Sequence, residues 1–574
     1  MGLGVLEVSS TEHVPGTSYV FDDASRPAGT GLIDSRLKYD RTGPVPIILV
    51  PQPSDDPNDP LNWPLWKRDT ILFILSIISV MASTLSPLLA ANTLTLALYY
   101  QRNFTQMALL TGYHLCAVGV AGFLFVASAR VWGKRHLYLL GNVLLIVSSA
   151  WGGASGHSYK SLLWARVLQG VSLAPFEALV NASVGDLYFV HERGKRMALS
   201  NLALFGGAFF TPVLVGKITH TLGWWWSFYF IAIFAAAVLP LVIFFVPETA
   251  FRRASHLNTD FTGEGSLQRD PGSRHVPGYE ISYHRTHAPG HSPGESGNAS
   301  LDKDPADIDI STSRDRVLVP KKVSYARSLL PFNGRKTDEN FLKLLLRPLP
   351  LFLNPAILWA CLIQGTMIGW TVFIGVVLAA IFLGPPLFFD EVKTGYMYTG
   401  AFVGAVVGFL GAGLLADWST KVMIRRNRGV YEPEFRIVLV VAQLVFGCAG
   451  LYGFGITGNN VTRYGWFWPD FFFGLEVMGM VLGAVASALY IVDAHREIAV
   501  EAFTCLMIFK NMFSFGLTFG AYDWLVKAGS LKTFYVIASI QIGVCLLSIP
   551  MYIFGKKNRA FFRRHDLLKM MHLW

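Results

Sequence analysis

The chain has 574 residues, of which 52% are hydrophobic, 14% are aromatic and only 15% are charged. Soluble domains usually carry about 25% charged residues, so this composition excludes an ordinary water-soluble protein. The formal net charge of +10 does not indicate a nucleic-acid partner, because the basic residues flank long apolar runs, as in a protein embedded in a lipid bilayer. All five cysteines fall within apolar runs, which predicts packing residues rather than disulfides.

Twelve apolar stretches lie in two groups of six, one on each side of a polar insert. Each is long enough to cross a bilayer, because a hydrocarbon core of about 30 Å needs about 20 residues of helix. The pattern predicts an all-α polytopic membrane protein with 12 transmembrane helices in two pseudo-symmetric six-helix bundles. The predicted spans are 70–92, 106–128, 136–154, 161–184, 197–218, 227–246, 355–382, 394–416, 435–456, 468–491, 498–524 and 532–554.

The polar segments divide the chain into five regions. The predicted regions are a cytoplasmic N-terminal arm (1–69), the first bundle (70–250), a largely disordered cytoplasmic central loop (251–350), the second bundle (351–555) and a basic cytoplasmic tail (556–574). The central loop is rich in Gly, Ser, Pro and charged residues and cannot bury enough apolar surface to fold alone. Its last part, Tyr325 to Leu346, is more apolar and is predicted to form an amphipathic helix.

The placement of positive charge predicts the orientation. With the N-terminus in the cytoplasm, the inside loops carry 12 Lys and Arg residues and the outside loops carry 7. Because cytoplasmic loops hold an excess of basic residues, both termini are predicted to be cytoplasmic. The sequons at Asn103 and Asn460 then lie outside and are candidate N-glycosylation sites. The plasma membrane is the expected location, with the vacuolar membrane as the alternative.

The two halves repeat short features in the same order. Asp186 follows span four and Asp493 follows span ten, while Asn201 in span five corresponds to Asn511 in span eleven, each with a glycine five residues later. Six plus six helices with an internal repeat is the plan of a transporter whose halves rock about a central site.

Several motifs name a family. The run 162–170, with Arg166 and Gln169, resembles motif B of the major facilitator superfamily. The loop 413–418 resembles motif A, and the loop 130–135 resembles its other copy, although Arg130 stands where an Asp is expected. Together these motifs imply the major facilitator fold.

Finer features resemble fungal twelve-span members related to drug:proton antiporters, in the branch that contains histidinol and polyamine permeases. They are the segments 62–64, 186–194, 427–434 and 509–516. The resemblance implies a secondary-active carrier, functional as a monomer, that moves a small organic solute by alternating access with a proton as the coupling ion. It implies no cofactor and no enzymatic activity.

Two other functions stay open beside the uptake of a cationic solute. The antiporter motif C is degenerate in the run 211–216, which weakens the inference of export, but export of a drug or secondary metabolite remains an alternative. A nutrient receptor that does not transport is the other. A membrane enzyme is disfavoured, because the spans show no cluster of His or Asp side chains.

Ionisable residues inside spans are costly, so four are candidates for proton coupling or substrate contact. Arg166 and Glu177 lie 11 residues apart in span four and are predicted to share one helix face, either for coupling or as a packing pair. Glu177 is expected to release and accept a proton as its surroundings change between wet and dry. Glu476 and Lys510 lie at similar depth and are predicted to form an ion pair.

A neutral substrate would instead contact aromatic and amide side chains. The predicted cavity residues are Tyr113, His114, Gln169, Gln364, Trp370 and Asn511. The resemblance also implies that cytoplasmic loops latch the inner face closed through Arg130, Lys134, Arg135 and Asp417. No metal site is expected.

Overall fold

Long apolar helices make up most of the molecule. The computed structural model describes residues 51–253, 322–383, 387–427 and 430–573, together with short pieces of the N-terminal arm (3–6, 14, 16–19, 38–40 and 47–49). Most of the predicted central loop, residues 254–321, therefore lies outside the described residues.

The N-terminal half contains six long helices. They are α1 (Leu65–Ser83), α2 (Phe104–Trp132), α3 (Arg135–Gly153), α4 (Tyr159–Leu187), α5 (Val190–Leu222) and α6 (Trp224–Phe245). A short helix, Thr93–Tyr100, lies between α1 and α2, and a 3-10 turn, Pro60–Asn62, precedes α1.

The C-terminal half repeats this arrangement with less regular helices. Its first members are α7 (Pro355–Phe382), α8 (Thr399–Arg426), α9 (Pro433–Asn459) and α10 (Phe467–Ala494). The α9 segment begins as a 3-10 helix (Pro433–Leu439), continues through Val440–Ala442 and a π turn (Gln443–Gly447), and ends as an α-helix (Cys448–Asn459). The final helical stretch, Ala499–Leu546, breaks at Gly529, where φ is 75° and ψ is 158°. We call residues 499–528 α11 and residues 530–546 α12.

Shorter elements connect and follow these helices. The short helices are Tyr325–Ser328, Phe341–Leu346, Pro348–Leu351, Glu391–Tyr396, Val461–Tyr464, the 3-10 turn Arg496–Ile498, Ser548–Arg564 and Leu567–Met570. Two antiparallel ribbons of two-residue strands pair Ser18–Tyr19 with Val430–Tyr431 and Tyr39–Asp40 with Ile47–Ile48.

The prediction of twelve spans in two bundles is confirmed. In the described part of the chain, 10 helical stretches are long and apolar enough to cross a membrane. The stretch Arg496–Met570 contains the Gly529 break and holds both α11 and α12. The helix α1 is not among the 10, because Lys67, Arg68 and Asp69 lie near its start.

Two predicted helices differ from the structure. Span one was predicted to reach residue 92, but α1 ends at Ser83 and turns follow, because Pro87 disfavours helical geometry in the residue before it. The predicted amphipathic helix from Tyr325 to Leu346 is wrong. Pro331 and Gly334, which has a φ of +78°, separate two short helices there.

The same helix contacts recur in both halves. In the N-terminal half α4 packs against α2 and α3, and α3 packs against α6. In the C-terminal half α10 packs against α8 and α9, and α9 packs against α12. The halves meet where α2 packs against α11 and where α5 packs against α8. Because α2 corresponds to α8 and α5 corresponds to α11, these two contacts are related by the internal repeat.

Glycines let the helices within each half come close. A Cβ on Gly404 of α8 would collide with the backbone of Gly474 on α10, and a Cβ on Gly170 of α4 would collide with the carbonyl of His114 on α2. Helix association in a bilayer depends on packing rather than on hydrophobic burial, so such small residues favour tight contacts. These contacts make each half a compact body.

The ends of α2, α4, α8 and α10, together with the residues that follow them, form what we call the basic face. It is the face predicted to be cytoplasmic. Pieces of the N-terminal arm lie here against the C-terminal half: the amide of Leu6 donates to the carbonyl of Ile553 over 3.0 Å, and the Thr17 hydroxyl donates to Glu432 over 2.7 Å. We call the other end of the bundle, with residues 101–103 and 460–466, the opposite face.

Candidate functional site

A central cavity lies between the two halves. Its wall is built by the end of α1, the turns that follow it, α2, α4, α5, α7, α10, α11 and the residue before α8. In α2, α7 and α10 the lining residues belong to the part nearer the opposite face. A space that both halves line is the place where a solute would contact both of them.

The wall is mainly apolar, with scattered hydroxyl and amide groups. Its polar side chains are Ser83, Ser86, Thr93, Thr111, Glu177, Thr371, Tyr398, Lys510, Asn511, Ser514 and Tyr522. The Tyr398 hydroxyl is already used, since it donates to the carbonyl of Gly375 over 2.9 Å, and the Tyr522 hydroxyl donates to the carbonyl of Val376. Among these lining residues, Glu177 and Lys510 are the charged ones.

Glu177 on α4 and Lys510 on α11 form an ion pair across the interface between the halves. Their side chains are only 12% and 14% exposed. Both lie about 15 Å from the basic-face ends of their helices, close to the middle of a bilayer. One pair of opposite charges therefore joins the halves at the level of the cavity.

The predicted ion pair between Glu476 and Lys510 is wrong. Lys510 lies on the face of α11 that lines the cavity, where it meets Glu177. Glu476 is fully buried inside the C-terminal half, where its backbone packs directly against Gly450 of α9. The predicted similar depth is wrong as well, since Lys510 lies about 15 Å from the basic-face end of α11 and Glu476 about 27 Å from the basic-face end of α10.

Arg166 is fully buried and does not line the cavity. Its guanidinium donates to the carbonyl of Leu85 over 2.6 Å and to the carbonyl of Ser86 over 3.4 Å. These carbonyls belong to the turn that follows α1, and a cation is favourable at a helix C-terminus. The prediction that Arg166 and Glu177 present one charged stripe to the interior is therefore wrong: Arg166 holds the broken end of α1, whereas Glu177 reaches α11.

His114 and Gln169 complete a polar network around Arg166. Gln169 accepts from the Arg166 guanidinium over 2.9 Å and its amide nitrogen donates to Ser149 over 3.3 Å. The His114 ring lies 3.2 Å from the Ser86 hydroxyl through Nε2 and 3.2 Å from the Arg166 carbonyl through Nδ1. Because Ser86 lines the cavity, this network fixes one part of its wall from behind.

The remaining predicted cavity residues lie mostly outside the wall. Asn511 lines the cavity, and its amide donates to the carbonyl of Met507 over 3.0 Å. Tyr113 packs on Phe515 of α11, with ring centroids 5.6 Å apart. Trp370 donates to Gln541 over 3.0 Å. Of the six predicted cavity residues, Tyr113, His114, Gln169, Gln364 and Trp370 do not line this cavity.

Glu476 is held by a single hydrogen-bonding side chain in the described structure. Its Oε1 lies 2.8 Å from the hydroxyl of Thr371 on α7, and Thr371 lines the cavity. Glu476 thus lies one layer behind the wall, with Thr371 between it and the cavity.

On the basic face, equivalent ion pairs brace each half. Lys134, at the start of α3, pairs with Asp186 over 2.6 Å in the N-terminal half. Arg436, near the start of α9, pairs with Asp493 over 3.0 Å in the C-terminal half. The repeated aspartates therefore receive repeated basic partners, and both pairs connect helices of the same half.

Glu248, just after α6, fixes the loop that begins α3. Its carboxylate accepts from the amides of Lys134 over 3.0 Å and Arg135 over 3.1 Å, while the Arg135 guanidinium donates to the carbonyls of Val246 and Ile243. The contacts of Lys134 and Arg135 lie within their own half, except that the Arg135 guanidinium also donates to the carbonyl of Leu329, between the two halves in the sequence, over 2.9 Å. They do not join the two halves as the predicted latch would.

Arg130 is the predicted gate residue that does join the halves. It pairs with Glu501 at the start of α11, and Arg347 lies 3.9 Å from the same carboxylate. The basic residue at position 130, where motif A has an acid, thus meets an acidic residue on α11. Asp417 is exposed and forms no ion pair with the described residues. Its latch role stays a prediction.

A further ion pair on this face lowers the pKa of an aspartate. Asp59 is fully buried, and Arg253 pairs with it over 2.8 Å. Burial acts to raise the pKa of Asp59, but the hydrogen bond and the charge of Arg253 outweigh it, so the pKa is lowered. This pair ties the segment before α1 to the residues after α6.

The predicted glycosylation sites are exposed. Asn103 caps α2 by accepting from the amide of Gln106 over 2.8 Å, and Asn460 follows α9. Their modification stays a prediction. No group of three or more His, Cys, Asp and Glu side chains within the described ranges is arranged to hold a metal ion.

Two site residues were missed from the sequence, Ser86 and Thr371. The pair Ser86-Pro87 is a readable signal, since a proline late in a predicted span marks a break whose free carbonyls need a partner. Thr371 carries no such signal, because a threonine in a span usually bonds its own helix.

Comparison with known proteins places the chain in a family. Among curated relatives, Protein HOL1 of Saccharomyces cerevisiae is 25% identical and the match covers 96% of both chains. The MFS antiporter QDR3 of Candida albicans is 23% identical, over 90% of this chain and 81% of its own. A solved D-xylose-proton symporter superposes with a TM-score of 0.55 at 13% identity, covering 85% of this chain and 99% of its own, which shows a shared fold.

The family match agrees with the twelve spans, the repeated halves and the cavity between them. The sequence profile described as Major Facilitator Superfamily matches residues 71–521, which is most of the chain. The chain therefore belongs to the major facilitator superfamily.

Proposed function

We propose that this protein is a secondary-active transporter that moves a small organic solute by alternating access, with a proton as the coupling ion. The observation that carries the proposal is the central cavity, which both halves line and which contains one ion pair joining them. An enzyme would not need a charge pair across two repeated bodies, but a carrier whose halves rock must make and break such a contact.

The two halves supply the moving parts. The contacts α2–α11 and α5–α8 are related by the internal repeat and can act as the surfaces about which the halves rotate. Rotation that opens the cavity changes the separation of α4 and α11, so it stretches the pair between Glu177 and Lys510. A solute that offers its own charge or hydrogen bonds to these groups would offset that loss and favour the rearranged state.

The cavity chemistry favours a solute with at most one or two charges and an apolar body. Its wall has one carboxylate and one ammonium group, which neutralise each other, and the remainder is apolar or hydroxyl-bearing. A cationic solute would replace Lys510 at Glu177. Uptake of such a solute is the leading proposal, and similarity to relatives named as an MFS antiporter and a multidrug transporter supports export as the alternative.

Orientation and location belong to the same proposal. We place the basic face and both termini in the cytoplasm and the protein in the plasma membrane, working as a monomer. The excess of basic residues on that face supports this orientation.

The test is transport into vesicles that contain only the purified full-length protein. Histidinol, spermidine and xylose, one solute per assay, are offered with and without an imposed pH gradient. We expect accumulation of at least one cationic probe that depends on the gradient and stops when a protonophore removes it. Binding without flux would contradict transport and indicate a receptor, product formation would indicate an enzyme, and flux that ignores the protonophore would contradict proton coupling.

A further inference from the structure

Glu476 has surroundings that an ionised carboxylate does not tolerate. The side chain is fully buried in the middle of α10, and its Oε2 has no hydrogen-bond partner in the described residues. None of the ion pairs of the described chain includes it, and Lys510 is committed to Glu177. A buried carboxyl group without a cation takes up a proton rather than remain charged.

The geometry around Thr371 is compatible with the same protonation state. The Thr371 Oγ lies 3.0 Å from the Met367 carbonyl, one helical turn earlier on α7, and 2.8 Å from Glu476 Oε1. A hydroxyl group has one proton, so it can donate to one of these two oxygens only. If Thr371 donates to Met367, as threonines in helices do, the second contact requires that Glu476 donates its own proton to Thr371.

The residues that face Glu476 from the neighbouring helices provide no compensating charge. On α8, the residues closest to the level of Glu476 are Gly404 and Gly408, which pack on α10 and carry no charge. On α9, Gly450 packs against Glu476, and the titratable residues Cys448 and Tyr452 lie two positions to either side of that glycine. The Tyr452 hydroxyl is hydrogen-bonded to Ser539 over 2.9 Å.

Other acids of the same helix are differently placed. Asp470, six residues earlier on α10, is anchored by accepting from the amide of Gly400 over 3.1 Å. Its carboxylate therefore caps the start of α8.

On α7, the groups that face Glu476 are Thr371 and Met367, and neither of them titrates.

We propose that Glu476 carries the transported proton and that Thr371 passes it between Glu476 and the cavity. This inference rests on the proposed function, since it identifies the proton site of that carrier. Thr371 lines the cavity, whereas Glu476 does not, so the hydroxyl is the group that connects the acid to water in the cavity.

The transfer balances through one rotation of the threonine. The hydroxyl proton of Thr371 first turns from the Met367 carbonyl toward a cavity water. Thr371 then gives that proton to the water as it accepts the proton of Glu476, which leaves Glu476 as a carboxylate. The accepted proton stays on the Thr371 oxygen and points at Glu476, so that the new anion accepts a hydrogen bond. The same contact therefore serves both protonation states of Glu476, and the reverse steps return a proton to the carboxylate.

In this proposal Glu177 does not carry the transported proton. It lies in the cavity wall and faces Lys510, so its charged form already has a partner. We assign Glu177 to solute contact and to the closing of the interface, and Glu476 to the proton.

Infrared spectroscopy tests the protonation state without a substrate. The purified full-length protein in lipid is titrated with acid and base, and the C=O stretch that only protonated carboxylic acids show is recorded. We expect a band at neutral pH that disappears in Glu476→Gln and remains in the matched control Asp470→Asn. Identical spectra for the wild type and Glu476→Gln at neutral pH would overturn the proposal.

Thr371 is tested as a positioning residue with the same readout. Thr371→Val removes the hydroxyl with little change of shape, and we expect a shifted Glu476 band together with a changed titration midpoint. Thr371→Ser keeps the hydroxyl and should restore the wild-type position of the band. A band that is unmoved in Thr371→Val would show that Thr371 does not contact the proton site.

Vesicle assays separate this inference from the proposed function. For the probe that the wild type accumulates, Glu476→Gln should still exchange internal for external solute but lose accumulation driven by the pH gradient. Asp470→Asn should keep both activities. Gradient-driven accumulation retained in Glu476→Gln would contradict the inference alone, whereas a wild type that moves no probe solute would contradict the proposed function.

Discussion

The two halves of the molecule each bury an ionisable side chain, a base in one and an acid in the other, and accommodate them by different means. In the N-terminal half, the guanidinium of Arg166 is surrounded by backbone carbonyls and the amide oxygen of Gln169. In the C-terminal half, the carboxyl group of Glu476 meets one threonine hydroxyl and otherwise apolar surroundings. Both side chains are fully buried at equivalent depths of a repeated fold.

The difference shows how one fold separates a fixed charge from a changeable one. An arginine stays protonated in proteins, so Arg166 can hold the broken end of α1 in every state. A glutamate without a cation can gain or lose its proton as its surroundings change. Glu177 and Lys510 then join the halves at the cavity, where the two kinds of site can influence each other.

The largest expected effect comes from breaking the pair between Glu177 and Lys510. Removing one partner leaves an unpaired buried charge, which costs about 3–5 kcal/mol. We therefore expect Glu177→Gln and Lys510→Met each to lose gradient-driven transport and to lower the stability measured by thermal unfolding in detergent. The double variant leaves no unpaired charge and should be more stable than either single variant.

A double-mutant cycle supplies the control for that prediction. If the pair is formed as described, the cost of the two substitutions together is smaller than the sum of the separate costs. Additive losses would show that the two side chains act independently and would remove the charge connection between the halves.

The next largest effect is expected at Arg166, the fixed charge. Arg166→Gln removes two hydrogen bonds from a cation to the carbonyls of Leu85 and Ser86, each worth about 1.5–3 kcal/mol. We expect a large loss of thermal stability, and Arg166→Lys should restore it only partly, because an ammonium group lacks the planar fork of donors.

The same helix offers a matched control for Arg166. Lys160→Gln removes a positive charge from an exposed position of α4, and it should leave the thermal unfolding midpoint unchanged. An Arg166→Gln variant as stable as Lys160→Gln would show that the end of α1 does not depend on the buried cation.

The smallest expected effect is on the basic face, where Arg130 of one half meets Glu501 of the other. Arg130 is 33% exposed, so Arg130→Gln should cost only about 1 kcal/mol or less, as exposed ion pairs do. Glu501 is 5% exposed and also faces Arg347, so Glu501→Gln should cost more. Thermal unfolding of the two variants side by side measures the difference, and an equal or larger loss in Arg130→Gln would reverse this assignment.

The sequence predicts much of the fold and some of the site. It identifies the twelve spans, the repeat of Asp186 and Asp493, and the importance of the charged residues inside the spans. It fails on the partners of those residues: Lys510 pairs with Glu177 rather than with Glu476, and Arg166 binds backbone carbonyls rather than acting beside Glu177. Helical spacing gives the depth of a side chain, but its partner depends on which neighbouring helix that face meets.

The sequence by itself therefore determined the spans and their grouping, because a bilayer requires long apolar helices whose backbone groups are satisfied internally. Only the tertiary structure decided which charges are paired and which are alone. A helix turns by about 100° per residue, so small differences in helix rotation and in the neighbouring face change a partner completely. Glu177 and Glu476 are the same residue type on equivalent helices of the repeat, α4 and α10, and packing alone gives one a cation and the other a threonine.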